Sequence, residues 1–187
     1  MNIIGNNFNI NQYGMKTQMA QLKSLIQFLD PDLCSFLDEK ESLNMYFCFR
    51  WLLIWFKREF KFEDIKQLWD VLICQPYSYD KTGKSNNSNE INTSKINISG
   101  LPCQNFQLLL AAGILLKRKS EIIDANLSFT DILRFINDLS EQMDVDEVIM
   151  IGSQLFDLLN NMRINDQLPK HIVAILFQDQ VLEDRNS

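Results

Sequence analysis

The single histidine, His171, sets the first limit on chemistry. Activating a serine or cysteine nucleophile takes a base within hydrogen-bond reach and a third group to orient it. His171 follows Lys170 at the start of a short apolar run, the setting of a surface or partly buried side chain. Cys34, Cys48, Cys74 and Cys103 are widely spaced, form no CxxC pair and lie far from His171, so no zinc set is legible. Each sits in or beside an apolar stretch, where a buried reduced thiol is expected. Carboxylates cluster at Glu63/Asp64 and at Asp144/Asp146/Glu147, both at the starts of helical patterns, where negative charge complements the helix dipole. Gly83-Lys84-Ser85 has the ending of a phosphate-binding loop, but Ser78 stands where its first glycine belongs and no strand precedes it. These residues read as a helical body with no self-contained active site and no metal centre.

The elements that would position any site are helices. The 187 residues hold six glycines, four prolines and 46% hydrophobic side chains, enough for one globular core built from long apolar stretches. A net charge of -6 argues against nucleic acid, whose binding rests on clustered Lys and Arg. The N-terminus lacks the basic start and apolar run of a signal peptide. The longest apolar run, Leu43 to Phe56, is interrupted by Arg50 and falls short of the ~20 residues that span a bilayer. A soluble cytoplasmic chain without a transmembrane segment is therefore expected.

Residues 1–14 read as an N-terminal connector. From Met15, apolar residues at helical spacing (Met19, Leu22, Leu25, Ile26, Leu29) predict a helix that Pro31 ends. Pro31 opens a second, with Leu33, Phe36 and Leu37 inward. Ser42 to Phe60, the most hydrophobic segment, reads as one continuous central helix, and 62–74 as an amphipathic helix with Ile65, Leu68, Trp69 and Leu72 inward. Residues from about 77 to 100 are polar and rich in Asn and Ser, a disordered insertion by composition. Further helices are predicted over 104–118, whose end Lys117, Arg118 and Lys119 complement; over 129–139, capped by Ser128; and over 145–162, capped by Asp144. The inner face of the 145–162 helix is read as Val148, Ile151, Leu155, Leu158, Leu159 and Met162. A last helix runs from Pro169 to about Gln178, and 179–187 form a tail. The fold class is all-α.

One stretch is specific. The run FCFRWLLIWFKREF from Phe47 to Phe60, followed by Leu68-Trp69-Asp70, resembles the signature of the C-terminal half of TBC domains, the helical modules of Rab GTPase-activating proteins. The order is FxxRWxLxxFxREF and then LWD or LWE. Gly14 to Leu22 and Leu29-Asp30-Pro31 resemble the segment before it. Leu101 to Leu110, Phe129 to Arg134 and Ile136 to Ser140 resemble the helices after it. The resemblance covers residues 8–178 apart from the insertion, and is greatest to the larger Rab GAPs that carry the 14-residue run almost verbatim.

That resemblance implies a multi-helix C-terminal subdomain over 15–178 and an activity, acceleration of GTP hydrolysis by a Rab GTPase. Family members insert an arginine from an IxxDxxR motif and a glutamine from a YxQ motif, both upstream of the matched part. Neither motif occurs in these 187 residues. Asp131-Ile-Leu-Arg134 has part of the spacing, but Ser128 occupies the isoleucine position, and no tyrosine has glutamine two residues on. No catalytic residue is carried over, and the chain alone is expected to be incompetent as a GAP. Phe47, Arg50, Trp51, Phe56, Glu59, Phe60, Trp69 and Asp70 are expected to be mainly structural, with Arg50 in an ion pair joining helices. Lys57, Arg58 and Glu59 are the positions expected to reach the surface, Lys57 and Arg58 as Rab contacts. The chain would need no cofactor, since GTP and Mg belong to the partner GTPase. It would reach endomembranes only through that Rab, and uncovered apolar surface would favour weak self-association. The alternative is a non-catalytic helical interaction module descended from the same family.

Overall fold

The computed structural model describes residues 13–74 and 103–177. The insertion expected at about 77–100 and the tail at 179–187 lie outside the described residues, as does all but the end of the connector. Among the described residues every regular element is helical; one isolated antiparallel bridge joins Cys103 to Phe177.

Helix α1 (Tyr13–Leu29) buries Met15, Met19, Leu22, Leu25 and Ile26, the stripe predicted, although it starts inside the stretch read as connector. Asp30 then caps α2 (Pro31–Glu39): its carboxylate accepts the Leu33 N–H at 2.8 Å, and Pro31 takes a first-turn position, where its missing N–H costs nothing. Helix α4 (Phe62–Cys74) keeps its predicted bounds, with Ile65, Leu68 and Leu72 buried. Helix α5 (Phe106–Lys117) is the true centre. Every residue from Phe106 to Leu115 is buried, and α8 (Val145–Ile164), α1 and α3 (Phe49–Leu53) all pack on it.

Two sequence expectations are corrected here. Lys119 does not simply cap α5 but opens a separate short helix, α6 (Lys119–Asp124). Its ammonium grips Asp30 through both carboxylate oxygens at 2.9 and 2.8 Å, fastening α6 to the α1–α2 corner. Lys117 pairs instead with Glu147 and Arg118 with Glu121.

The second correction concerns α8 (Val145–Ile164). Its buried stripe is Val145, Val148, Ile149, Gly152, Phe156 and Leu159, while Leu158 is 51% exposed and Ile151, Leu155 and Met162 are only half-buried. The helix carries two overlapping apolar rows, and both touch α5. A Cβ on Gly152 would stand 2.6 Å from Leu110 Cδ2, and one on Gly113 would stand 2.6 Å from Ile151 Cγ2. The helices therefore meet through Gly152 on one row and Ile151 and Leu155 on the other, and Leu158 is the residue expected inward that stands exposed.

Helix α7 (Phe129–Asp138) begins as predicted, with Ser128 and Asp131 forming a reciprocal capping box, and Asp144 caps α8 by accepting the Glu147 N–H at 3.0 Å. The last helix, α9 (Lys170–Leu176), follows Pro169, which stands at the cap. Its end is stitched to the start of α5: Gln104 N–H donates to Leu176 O at 3.0 Å and Asn105 Nδ2 to Ile175 O at 2.7 Å.

The α8 register gives a direct test. Phe156→Ala should cost about 3–5 kcal/mol in urea unfolding, while Leu158→Ala should stay within about 0.5 kcal/mol. Equal losses would restore the row read from sequence.

The Asp30–Lys119 clamp gives a pH test. Burial pushes the Asp30 carboxyl up, but the Lys119 hydrogen bond, the Leu33 N–H and the Lys119 charge outweigh it and leave the carboxyl below its ordinary value of 3.8. A carboxyl lowered on folding contributes stability above its ordinary value and loses it as pH falls through the lowered one. Asp30→Asn should therefore be less stable than the parent at pH 7, and the gap between their urea midpoints should close as both are acidified below about pH 4. A gap constant from pH 7 to pH 3 contradicts the clamp.

Candidate functional site

The aromatic signature does not form the continuous helix expected over Ser42–Phe60. Met45 enters the left-handed region (φ 56°), Tyr46–Cys48 make one 3-10 turn, and α3 lasts only five residues. The chain then reverses through Trp55 and Phe56, both at positive φ (48° and 59°). Bulky residues resist this region, so surrounding contacts must hold them there.

The strongest of those contacts is ionic. Arg50 donates from Nε to one Glu59 oxygen at 2.6 Å and from a terminal nitrogen to the other at 2.8 Å. In an unbroken helix these residues, nine apart, would be separated by about 13.5 Å along the axis, beyond any bidentate contact. The pair and the straight helix exclude each other. Glu59 is fully buried, which corrects its expected place at the surface, while a third of the Arg50 side chain meets solvent. The partner of Arg50 thus belongs to the signature itself, and the fork-to-fork geometry commits its guanidinium to the turn.

Neutral contacts complete the clamp. Trp69, half-buried on α4, donates its indole N–H to Trp55 O at 2.9 Å. Residues just past α7 reach back: Ser140 Oγ donates to Arg58 O at 2.6 Å, and Glu141 N–H donates to Glu59 O at 2.8 Å. Trp51 and Phe56 stack with centroids 5.7 Å apart, and Phe56 meets Phe60 at 6.5 Å. Trp51 is wholly buried, and its indole N–H has no hydrogen-bond partner among the described residues.

The signature residues therefore divide. Phe47, Trp51, Phe56, Glu59 and Phe60 are buried; Arg50 and Trp69 are half-buried; Asp70, Lys57 and Arg58 are exposed. Lys57 and Arg58 sit on the outside of the reversal, with Lys61 exposed three residues on. What the sequence could not disclose is the part played by Ser140 and Glu141, about 80 positions away, because no local pattern marks a long-range contact to a carbonyl.

Chemically the outer side of the turn presents the two cations Lys57 and Arg58. Burial, reinforced by the Glu59 charge, raises the Cys48 thiol well above its ordinary value, which removes it as a nucleophile. Burial likewise pushes Cys103 up to about 12. No group of three or more His, Cys, Asp and Glu side chains among the described residues is placed to hold a metal ion, and no helix there is long and apolar enough to cross a membrane.

Comparison with known proteins agrees with the signature. Residues 1–83 match the model of the Rab-GTPase-TBC domain. TBC1 domain family member 17 of Mus musculus is 34% identical over 176 residues, 94% of this chain and 23% of that protein. GTPase-activating protein GYP7 of Debaryomyces hansenii is 35% identical over 80% of this chain and 16% of its own length. Its counterpart in Saccharomyces cerevisiae is 32% identical over 87% of this chain and 18% of its own. The chain spans about a quarter or less of the length of these relatives.

The ion pair makes a double-mutant cycle decisive. Arg50→Met alone should cost about 3 kcal/mol by leaving Glu59 buried and unpaired, the low end for a buried pair because Arg50 is partly solvated. Adding Glu59→Leu should recover much of that loss. Additive losses in urea unfolding would show that the pair does not hold the turn.

Proposed function

Since the chain belongs to the TBC-domain family of Rab GTPase-activating proteins, we propose that it forms the C-terminal part of such a GAP, a scaffold that contacts the GTPase without supplying catalytic groups. The observation that carries this reading is the signature itself, folded into a turn whose anionic member is buried and whose cations Lys57 and Arg58 face solvent. Two of the relatives are named GTPase-activating proteins. A Rab GTPase is the partner, and GTP with its Mg ion sits in that partner. Positive side chains on a rigid turn favour docking against an acidic face of the GTPase and act mainly on the rate and orientation of encounter.

The arginine and glutamine that assist hydrolysis come from sequence carrying the IxxDxxR and YxQ motifs, neither of which is found here. One arginine finger accounts for about 10³–10⁵ in rate, so scaffold contacts alone leave hydrolysis at the intrinsic rate of the GTPase. The partner Rab would also set any membrane address.

Single-turnover GTP hydrolysis by a panel of Rab proteins tests this. The 187-residue chain should leave the rate unchanged, and the same chain joined to an upstream TBC segment bearing both motifs should raise it. In the joined protein, Lys57→Glu with Arg58→Glu should weaken Rab association about tenfold while leaving the urea midpoint of the short chain intact. Acceleration by the short chain alone would sink the reading.

A further inference from the structure

Past the turn the chain enters α4, and this helix carries two apolar faces. Ile65, Leu68 and Leu72 are buried in the body. About a quarter turn round the helix lie Phe62, Trp69 and Ile73, at positions i, i+7 and i+11 of one stripe. Phe62 is 73% exposed, Ile73 is 52% exposed and Trp69 is half-buried. A lone exposed apolar side chain is ordinary, whereas three along one stripe make a surface fit for a partner.

That stripe is tied to the cations of the signature. Trp69 donates its indole N–H to Trp55 O at 2.9 Å, so the stripe runs beside the reversal itself. Phe62 follows Arg58 by four residues, which keeps their Cα atoms within about 14 Å along any path. Lys57, Arg58 and Lys61 are exposed and have no ion-pair partner among the described residues. Lys66, one turn along the stripe, pairs with Glu63 and lies over the Phe62 ring at 4.8 Å from its centroid. This contact limits the orientations open to the ring before any partner arrives. The result is one continuous surface, cationic at the turn and apolar along α4, with Asp70 exposed at its margin.

We propose that the GTPase meeting Lys57 and Arg58 also covers this stripe, with Phe62 as its apolar anchor. The partner face that fits is an acidic patch bordered by an apolar hollow that takes the Phe62 ring. Anchoring at Phe62 rests on the GTPase contact proposed above and adds a second kind of force to it. The cations attract at a distance and set the rate of encounter. Phe62 acts only in contact and sets how long the complex lasts. Charge favours this occupant over the others. A second copy meeting the surface with its own would set Lys57 and Arg58 against like charges. An anionic bilayer would meet Glu63, Asp64 and Asp70 on the same helix.

Stopped-flow binding of the whole chain to a panel of Rab proteins, loaded with a non-hydrolysable GTP analogue, separates the two forces. Phe62→Ser should speed dissociation about tenfold and leave the association rate and its salt dependence unchanged. Phe62→Leu should restore most of the lifetime of the complex. Lys57→Glu with Arg58→Glu should instead slow association and flatten its response to salt. The urea midpoint of Phe62→Ser should match the parent, since the ring is exposed. If the charge reversal slows association but Phe62→Ser leaves dissociation unchanged, the anchor is overturned and docking at the turn stands. If no Rab binds, or the charge reversal has no effect, docking at the turn fails and the anchor falls with it. A dimer or a vesicle-bound state that Phe62→Ser abolishes, in place of Rab binding, would also overturn the anchor.

Discussion

The geometry of the signature follows from one buried charge. Glu59 has no access to water, and a carboxylate in that position must be neutralised or fully hydrogen-bonded. Arg50 supplies both needs, but only if the chain folds back on itself between them. The short α3, the left-handed Trp55 and Phe56, and the outward direction of Lys57 and Arg58 are consequences of that requirement. A straight helix would satisfy more backbone hydrogen bonds locally and would strand the carboxylate. The Trp55, Arg58 and Glu59 carbonyls freed by the reversal are taken up by Trp69, Ser140 and the Glu141 N–H, so the turn also draws α4 and the end of α7 together.

The rest of the body is organised by a second constraint, close contact of α5 and α8 at two glycines. These helices are near enough that a methyl group at either Gly113 or Gly152 would collide with an aliphatic side chain opposite. Small residues at a crossing let ridges interlock deeply, which explains how a helix as uniformly apolar as α5 finds cover on all sides.

Helix boundaries were legible wherever a local device sets them. Asp30-Pro31, the Ser128/Asp131 box and Asp144 all act within one turn of themselves, and α1, α2, α4, α7 and α8 start at or near the expected places. Orientation was less legible. Leu158 looks as apolar as Phe156, and nothing near it in sequence says that one is buried and the other left exposed. The division of Ser42–Phe60 was hidden for a related reason: hydrophobicity counts Arg50 and Glu59 as interruptions, when together they dictate the path. The aromatic run marked the right region for a site, yet it did not reveal that Glu59 lies inside and Lys57 and Arg58 outside, because that depends on the turn.

The seam between Cys103 and Phe177 brings the two ends of the 103–177 stretch side by side. Phe177 also lies against Phe156, with Arg163 stacked over its ring at 4.6 Å. Distance from the centre along the chain is therefore no guide to dispensability. A frameshift or premature stop a handful of codons before Phe177 would unbutton the first turn of α5 and the far end of α8 at once, reaching the middle of the molecule from its periphery.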